Sequence, residues 1–351
     1  MIFASDNWPG AHPLIAQKLV EAAGTYTAPY GESEADRRVE EKLSRFFDRD
    51  VAVFFVATGT AANSLALASV SKTASVIFCH PEAHVIHHEG GAVELMTNGG
   101  KLVPVAGDGT QQGKISPAQL RKAVARFPVG DVHVGQKVAL TLSQATEAGT
   151  IYSLAEIAEL SAIARDAGMK VHMDGARFSN AVAALGVTPA EMTWKSGIDI
   201  LSLGGTKNGC WCAEAIVFFN REDATTLPHL RKRGANLFSK SNFIAQQFDR
   251  WLEGDLWLDL ARHANAMARK LADVVKTSKD VRLAWETGGN QLFIVMSDAK
   301  ARELRQAGAR FYDWETPEGM EASIGEGEQI RRFITSFATL EKDIDTIAAM
   351  F

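Results

Sequence analysis

The chain has 351 residues, of which 46% are hydrophobic and 23% charged. This composition is typical of a globular protein with a large core and excludes disordered and fibrous classes. The length predicts about two domains. The net charge of −5 provides no general basic surface, so we expect no nucleic-acid partner.

The cysteines and the N-terminal sequence indicate a cellular location. Cys79, Cys210 and Cys212 are odd in number and too few for a disulfide framework, which favours a reducing compartment. No apolar run approaches the ~18 residues of a membrane span. The first ten residues, MIFASDNWPG, lack the basic end and apolar stretch of a signal peptide. We therefore expect a cytoplasmic protein with no membrane partner.

Short apolar segments alternate with helical segments in the first part of the chain. The predicted strands are residues 51–56, 75–79, 101–105, 138–142, 170–173, 198–203 and 213–219. The predicted helices are residues 61–70, a helix that begins at Ser116-Pro117, and residues 154–167, which Ser153 caps. This alternation predicts an α/β fold with a mostly parallel central sheet covered by helices on both faces.

The pattern changes near residue 241. A long helix is predicted over residues 255–276, strands over 291–296 and 332–337, and a last helix over 340–350. We therefore predict a large α/β domain, residues 1–240, and a smaller C-terminal α+β domain, residues 241–351. Trp251 and Trp257 are expected to pack where the two domains join.

Three strand ends carry residues that suggest chemistry, because ligands of parallel α/β sheets bind at the carboxyl ends of the strands. The first strand leads into Thr58-Gly59-Thr60 and a helix, which is either an anion site or an ordinary tight turn. Asp174 ends a buried strand; it either pairs with Arg177 or faces a cationic ligand atom. Lys207 follows another strand among glycines, where a desolvated amine can form an imine.

Taken in chain order, these three features describe a pyridoxal phosphate site. The phosphate needs N–H donors, the pyridine nitrogen needs a carboxylate that keeps it protonated, and the aldehyde needs a lysine. The residue types at these three strand ends meet each requirement.

Beyond these three features, the sequence resembles the threonine aldolases, which have the type I fold of pyridoxal-phosphate enzymes and belong with the β-eliminating lyases. The resemblance extends over nearly the whole chain and looks closest to a bacterial low-specificity subgroup. The matching stretches are FASDN at 3–7, TGTAANSLAL at 58–67, AHVIHHEGG at 83–91, HMDGARFSNA at 172–181, GGTKNG at 204–209 and RRFITSF at 331–337.

The resemblance implies roles around the cofactor. Lys207 matches the lysine that bonds to the cofactor, and Asp174 matches the aspartate at the pyridine nitrogen. Gly59 and Thr60 match the phosphate turn. His84 matches the histidine that stacks on the ring. Glu89 either orients His84 or is a charge on a helix face. One of His84, His87 and His88 could also be a metal ligand, but the spacing of these histidines is not that of a metal motif and we expect no metal.

The resemblance also implies roles around the substrate. Arg177 and Arg332 match arginines that hold the substrate carboxylate, with help from Ser5, although Arg331 is the neighbouring candidate for the second arginine. His133 matches a histidine close to the β-hydroxyl, and the alternative is a histidine in a surface loop. The residues that match ones reaching a neighbouring subunit's site are Tyr30, Lys232 and Lys240. A homodimer or homotetramer with sites at the subunit interface is therefore expected.

Two departures from the family pattern line the expected site. Gln144-Ala145-Thr146 replaces Glu-Asn-Thr, and Gly-Gly-Thr rather than Ser-Leu-Ser precedes Lys207. They put side-chain specificity in doubt and leave the lysine chemistry intact.

The resemblance implies cleavage of L-threonine or L-allo-threonine to glycine and acetaldehyde. His133 is the first candidate for the base that removes the hydroxyl proton, followed by His84 or a water. Three alternatives stay open: β-elimination or transamination on the same fold, a non-catalytic cofactor-binding module, and an unrelated nucleotide-binding α/β enzyme.

Overall fold

The structure is a computed structural model that describes residues 1–109 and 112–351. The strands are β1 Ala52–Val56, β2 Ser75–Cys79, β3 Lys101–Pro104, β4 Gln136–Ser143, β5 Lys170–Gly175, β6 Ile200–Gly204, β7 Glu214–Phe218, β8 Val281–Leu283, β9 Gln291–Ser297, β10 Tyr312–Trp314 and β11 Glu328–Ile334. The helices are α1 Pro13–Ala23, α2 Glu34–Phe46, α3 Gly59–Ser69, α4 His84–His87, α5 Ala92–Met96, α6 Pro117–Ala125, α7 Leu154–Asp166, α8 Phe178–Leu185, α9 Pro189–Met192, α10 Leu227–Arg233, α11 Asn242–Trp251, α12 Leu256–Thr277, α13 Asp298–Gln306 and α14 Glu341–Ala348. Among these helices, none has the length and apolar character needed to cross a membrane.

A large sheet has the strand order β1-β7-β6-β5-β4-β2-β3. The pairs from β6 across to β3 are parallel, whereas β7 runs antiparallel between β6 and β1. The carboxyl ends of every strand in this sheet except β7 therefore meet at one edge. The mostly parallel sheet predicted from the sequence is confirmed, and the reversed β7 is an addition to it.

The central strands are buried because helices cover both faces of the sheet. Every residue of β2, β6 and β7 is buried, and these strands consist largely of the branched and aromatic residues that suit a doubly covered sheet. Helix α7 begins as predicted: Ser153 accepts from the backbone of Glu156, and the Glu156 side chain caps in return.

A smaller antiparallel sheet, ordered β10-β11-β9-β8, follows the large one in the chain. It shares a second core with the N-terminal segment, since Phe3 packs against Phe333 and accepts from the backbone of Ile334 at 2.8 Å. The predicted strand 332–337 is shifted: β11 begins at Glu328 and ends at Ile334. The polar residues at its start obscure the apolar alternation. The proposed division between residues 240 and 241 stays a prediction.

Helix α11 holds the backbone that follows β6. Trp251 is fully buried, packs against Phe248 and Trp257, and its Nε1 donates to the carbonyl of Asn208 at 3.0 Å. The amide of Asn208 donates in turn to the carbonyl of Trp257 at 2.7 Å. Both tryptophans pack in the larger core. Their role as packing residues is confirmed, and their place at a junction of two domains stays a prediction.

Trp251→Ala should lower the free energy of unfolding by about 3–5 kcal/mol, because it leaves a cavity in the core and an unpaired carbonyl. Denaturant titration measures this change. Trp211→Ala is the matched control, since Trp211 is 64% exposed and its removal should change stability little. A loss below about 1 kcal/mol for Trp251→Ala would contradict this view of the core.

Candidate active site

A cavity of about 230 Å³ lies at the carboxyl edge of the large sheet. Five of the predicted site residues line it: Gly59, Thr60, His84, Asp174 and Lys207. Far apart in sequence, they meet here because the strands that precede them are parallel and end at the same edge.

The turn after β1 presents the N-terminus of α3 to this cavity. The Thr58 hydroxyl caps the helix by accepting from the amide of Ala61 at 3.1 Å. Gly59 and Thr60 form the first turn and line the cavity. Free N–H groups and the positive end of the helix dipole make this turn suitable for an anion such as phosphate.

Asp174, at the end of β5, is a buried carboxylate held by neutral donors. Its Oδ1 accepts from the amide of Ala176 at 3.0 Å and its Oδ2 from Nδ2 of Asn63 at 2.9 Å. The predicted alternative, a pair with Arg177, is not what the structure contains. The carboxylate therefore forms no ion pair with the described residues and is open to a cation in the cavity.

His84 belongs to the same network. Its Nδ1 donates to Glu89 at 2.9 Å, and Glu89 also accepts from the Asn63 amide at 2.8 Å. The hydrogen bond to Glu89 raises the pKa of His84 despite burial, and the charges of Glu147 and Asp174 act in the same direction. Of the two roles considered for Glu89, the structure supports that of orienting His84.

Lys207 lies on a single 3₁₀ turn, Thr206–Asn208, directly after β6. The hydrogen bonds of Asn208 to the tryptophans of α11 and α12 fix this turn. Gly209 ends it with a φ of +100°, and a Cβ there would lie 2.6 Å from a Leu260 methyl group. The glycine thus lets the turn pack closely beneath Lys207.

Arg177 is buried and already paired. Its Nε and Nη2 donate to the two oxygens of Asp6 at 2.8 and 2.9 Å, and the Asn290 amide donates to Asp6 at 3.0 Å. Burial alone would raise the pKa of Asp6, but the charges of Arg177 and Lys207 and these hydrogen bonds hold it below 3.8. Two donors of Arg177 are therefore committed to Asp6.

The structure distinguishes the two neighbouring arginines of β11, because successive side chains of a strand point to opposite faces. Arg331 pairs with Asp298 and Asp313. Arg332 lies over the rings of Trp314 and Tyr312. Burial and the charge of Arg177 lower the pKa of Arg332, whereas Glu147 and Asp6 act to raise it. Arg332 is therefore the one that faces the charged groups of the site.

Arg177 and Arg332 are not among the residues that line this cavity, and neither are Ser5, Tyr30, Lys232 and Lys240. Ser5 is half-buried, and its hydroxyl accepts from the amide of Asn7 at 3.1 Å. Tyr30 and Lys232 are exposed neighbours, with the ammonium 5.7 Å from the ring centroid. Lys240 is also exposed and follows Ser239, whose carbonyl accepts from Tyr30. Their roles at a neighbouring subunit's site stay predictions.

The expectation for His133 is contradicted by its position. His133 is exposed in the turn before β4, where its amide donates to Asp131 at 2.9 Å. The cavity lies at the other end of the eight-residue strand β4, which at 3.3 Å per residue is roughly 23 Å away. His133 therefore cannot take a proton in the cavity of its own chain, and the surface-loop alternative is correct.

Sequence reasoning missed four residues of the site. Asp6 and Asn63 lie within recognised motifs, but their partners are 171 and 111 residues distant. Glu147 lies in the loop after β4, a few residues beyond the strand end, and its position after a parallel strand is the signal that points to it. Glu214 begins β7, and because β7 is antiparallel its amino end is the one at the cavity.

Glu214 is a buried carboxyl group that lines the cavity beside Lys207. Its Oε1 accepts from the amide of Thr206 at 3.4 Å. Burial raises its pKa from 4.5 to about 7, against the opposing effects of the Thr206 hydrogen bonds and the Lys207 charge. Lys207 therefore has a neighbour whose charge changes near neutral pH.

Glu214→Gln should become more stable relative to the unsubstituted protein as pH rises from 5 to 8, in protein stripped of any bound cofactor. In the unsubstituted protein, the Glu214 carboxyl group ionises near pH 4.5 in the unfolded state and near pH 7 in the folded state. The unsubstituted protein therefore loses stability between pH 5 and pH 8, by at most about 3 kcal/mol, whereas glutamine does not titrate. Thermal unfolding at both pH values measures the difference. The control is Glu318→Gln, which removes an exposed carboxylate. If the difference in stability between Glu214→Gln and the unsubstituted protein does not change with pH, the pKa of Glu214 is not raised on folding.

Comparisons with known proteins agree with this geometry. A family model described as beta-eliminating lyase matches residues 3–298. The low specificity L-threonine aldolase of Pseudomonas aeruginosa is 40% identical, covering 96% of this chain and 93% of that protein. The protein of the same name from a Pseudomonas species is 38% identical, covering 99% and 96%.

A solved structure of Leishmania major threonine aldolase superimposes with a TM-score of 0.90 at 26% identity, covering 99% of this chain and 97% of that one. The sequence match, the structural match and the cavity at the sheet edge lead to one assignment. This chain belongs to the beta-eliminating lyase family, within which its close relatives are low-specificity L-threonine aldolases.

Proposed function

We propose that this chain is a pyridoxal-phosphate-dependent lyase. It cleaves L-threonine, L-allo-threonine and related β-hydroxy-α-amino acids to glycine and an aldehyde such as acetaldehyde. The observation that carries the proposal is the single cavity where Lys207, Asp174 and the N-terminus of α3 meet. The 40% identity to an L-threonine aldolase over nearly the whole chain supports the choice of reaction.

The residues of the cavity fit pyridoxal phosphate. The first turn of α3 offers backbone donors for the phosphate, Asp174 offers a buried carboxylate for the pyridine nitrogen, and Lys207 offers an amine for the aldehyde. When bound, this cofactor supplies an aldehyde that captures amino groups and a protonated ring that accepts an electron pair.

Each of these residues has a distinct task. Lys207 would hold the cofactor covalently until the substrate amine replaces it. Asp174, held by Asn63 and Ala176, would keep a proton on the pyridine nitrogen. His84, fixed by Glu89, would lie against the ring.

Arg332 is the principal candidate for binding the substrate carboxylate. Its Nε is buried and has no hydrogen-bond partner among residues 1–109 and 112–351, whereas Arg177 is engaged by Asp6. A carboxylate held by guanidinium donors has a fixed orientation. By fixing that orientation, Arg332 would determine which bond to Cα is positioned for cleavage, and so would favour cleavage of the Cα–Cβ bond.

We further propose a homodimer or homotetramer that works in the cytoplasm. Tyr30, Lys232 and Lys240 are exposed and lie close together in the chain's fold, outside the cavity lining. This placement is compatible with contacts to the site of a neighbouring subunit.

The reaction is tested by incubating the cofactor-loaded protein with L-threonine and, separately, with L-allo-threonine. We expect acetaldehyde and glycine in equal amounts, and no turnover and no imine absorbance for Lys207→Ala. Amino-group transfer to a keto acid, or release of ammonia and a keto acid, would instead support transamination or elimination. An imine absorbance without any product would leave only a cofactor-binding module.

A further inference from the structure

Glu147 is an acidic residue of the cavity that has no role in the proposed binding of the cofactor or of the substrate carboxylate. It lies in the loop after β4 and borders the cavity together with His84 and Lys207. Hydrogen bonds fix the loop on both sides of it: Gln291 donates to the carbonyl of Thr146 at 3.1 Å, and Trp285 donates to that of Ala148 at 2.8 Å. The backbone that carries Glu147 is therefore anchored to the smaller sheet and its adjoining loop.

The carboxylate of Glu147 differs from the other acidic groups of the site. Glu89, Asp174 and Glu214 are buried and accept hydrogen bonds from protein donors. Glu147 is half-buried, and no residue in 1–109 or 112–351 forms a hydrogen bond or ion pair with it. Its oxygens are thus available to a ligand in the cavity.

Glu147 also lies close to the groups that would surround the substrate. Its charge acts on His84, on Arg177 and on Arg332. The arginines are the candidates for the substrate carboxylate, and His84 is the candidate for the cofactor ring. Glu147 therefore borders the cavity and lies within electrostatic range of all three groups.

The two histidines considered as bases are less suitable. His133 lies at the opposite edge of the sheet. His84 uses Nδ1 to donate to Glu89, and the role proposed above places its ring against the cofactor. Glu147 borders the same cavity with carboxylate oxygens that no described residue occupies, so it can accept a proton from the substrate hydroxyl.

We propose that Glu147 is the general base that accepts the proton of the substrate β-hydroxyl group, an inference that rests on the proposed function. The O–H proton moves to the Glu147 carboxylate while the Cα–Cβ bond breaks and the Cβ–O bond becomes the carbonyl of the aldehyde. The electron pair of the broken bond stays on the glycine fragment, which takes up one proton at Cα. Glu147 then returns its proton to solvent, so atoms and electrons balance without another reactant.

The test uses Glu147→Gln, which keeps the shape of the side chain and removes its basicity, and Glu147→Asp, which keeps the carboxylate and withdraws it by one methylene. Glu82→Gln is the matched control, because Glu82 is an exposed carboxylate that borders the neighbouring pocket with Glu147 and does not line the cavity of Lys207. Each cofactor-loaded protein is assayed for threonine cleavage. Exchange of the glycine α-proton with deuterium from solvent is followed by NMR, since it breaks a bond to Cα without any hydroxyl group.

We expect Glu147→Gln to lower kcat for threonine cleavage by about 10²-fold or more, the usual contribution of a general base. Its KM, its cofactor absorbance and its rate of glycine exchange should match those of the unsubstituted protein. Glu147→Asp should recover part of the cleavage rate, and Glu82→Gln should behave as unsubstituted protein throughout.

Two results would overturn the assignment. Cleavage by Glu147→Gln at more than half the normal rate would show that the hydroxyl proton goes elsewhere. An equal loss of cleavage and glycine exchange, or a large rise in KM, would show that Glu147 holds the arginines or the cofactor. Should Glu147→Gln fail to fold, Glu147→Asp decides by the same ratio of cleavage to exchange. If the unsubstituted protein exchanges glycine but cleaves no β-hydroxy-amino acid, the proposed function fails first and this inference with it.

Discussion

Strands β5 and β6 run side by side, parallel and in register, with Asp174 opposite Ser202 and Gly175 opposite Leu203. Their ends approach so closely that a Cβ on Gly204 would lie 2.8 Å from the backbone of Ala176. This contact requires glycine and brings the chain that leaves β5 next to the chain that leaves β6. The relative position of Asp174 and Lys207, and with it the chemistry of the cavity, depends on this pairing.

Charge balance explains which groups of the site remain available to a ligand. A buried charge is costly unless it has a partner, and Asp6 with Arg177 and Glu89 with His84 form such pairs. Glu147 borders the cavity, and Nε of Arg332 is buried; neither has a hydrogen-bond partner in the part of the chain that the structure describes. Their charges are opposite and act on each other, as expected of groups that bind a zwitterionic amino acid and act on its side chain.

The strands of the large sheet and three of its functional ends could be predicted because their signals are local. An apolar run followed by Asp174, by Lys207 or by Gly59 identifies a strand and its end without knowledge of the fold. The reversal of β7 could not be predicted, since its composition resembles that of its parallel neighbours, and Glu214 was missed with it. The N-terminal strand-like contact of Phe3 with the smaller sheet also joins residues too distant in sequence for any local pattern. His133 was assigned from the resemblance alone. It precedes the predicted strand 138–142 and so lies at the amino end, opposite the edge where ligands of parallel sheets bind.

Lys207 is the lysine expected to form the covalent bond with pyridoxal phosphate in the cavity. Reduction of the pyridoxal-phosphate-loaded protein with borohydride makes that bond permanent, and peptide mass spectrometry then locates the modified lysine. We predict one pyridoxyl group per chain, on Lys207, with no such modification after prior removal of the cofactor. Modification of a different lysine, or none at saturating cofactor, would contradict the account of the cavity given above.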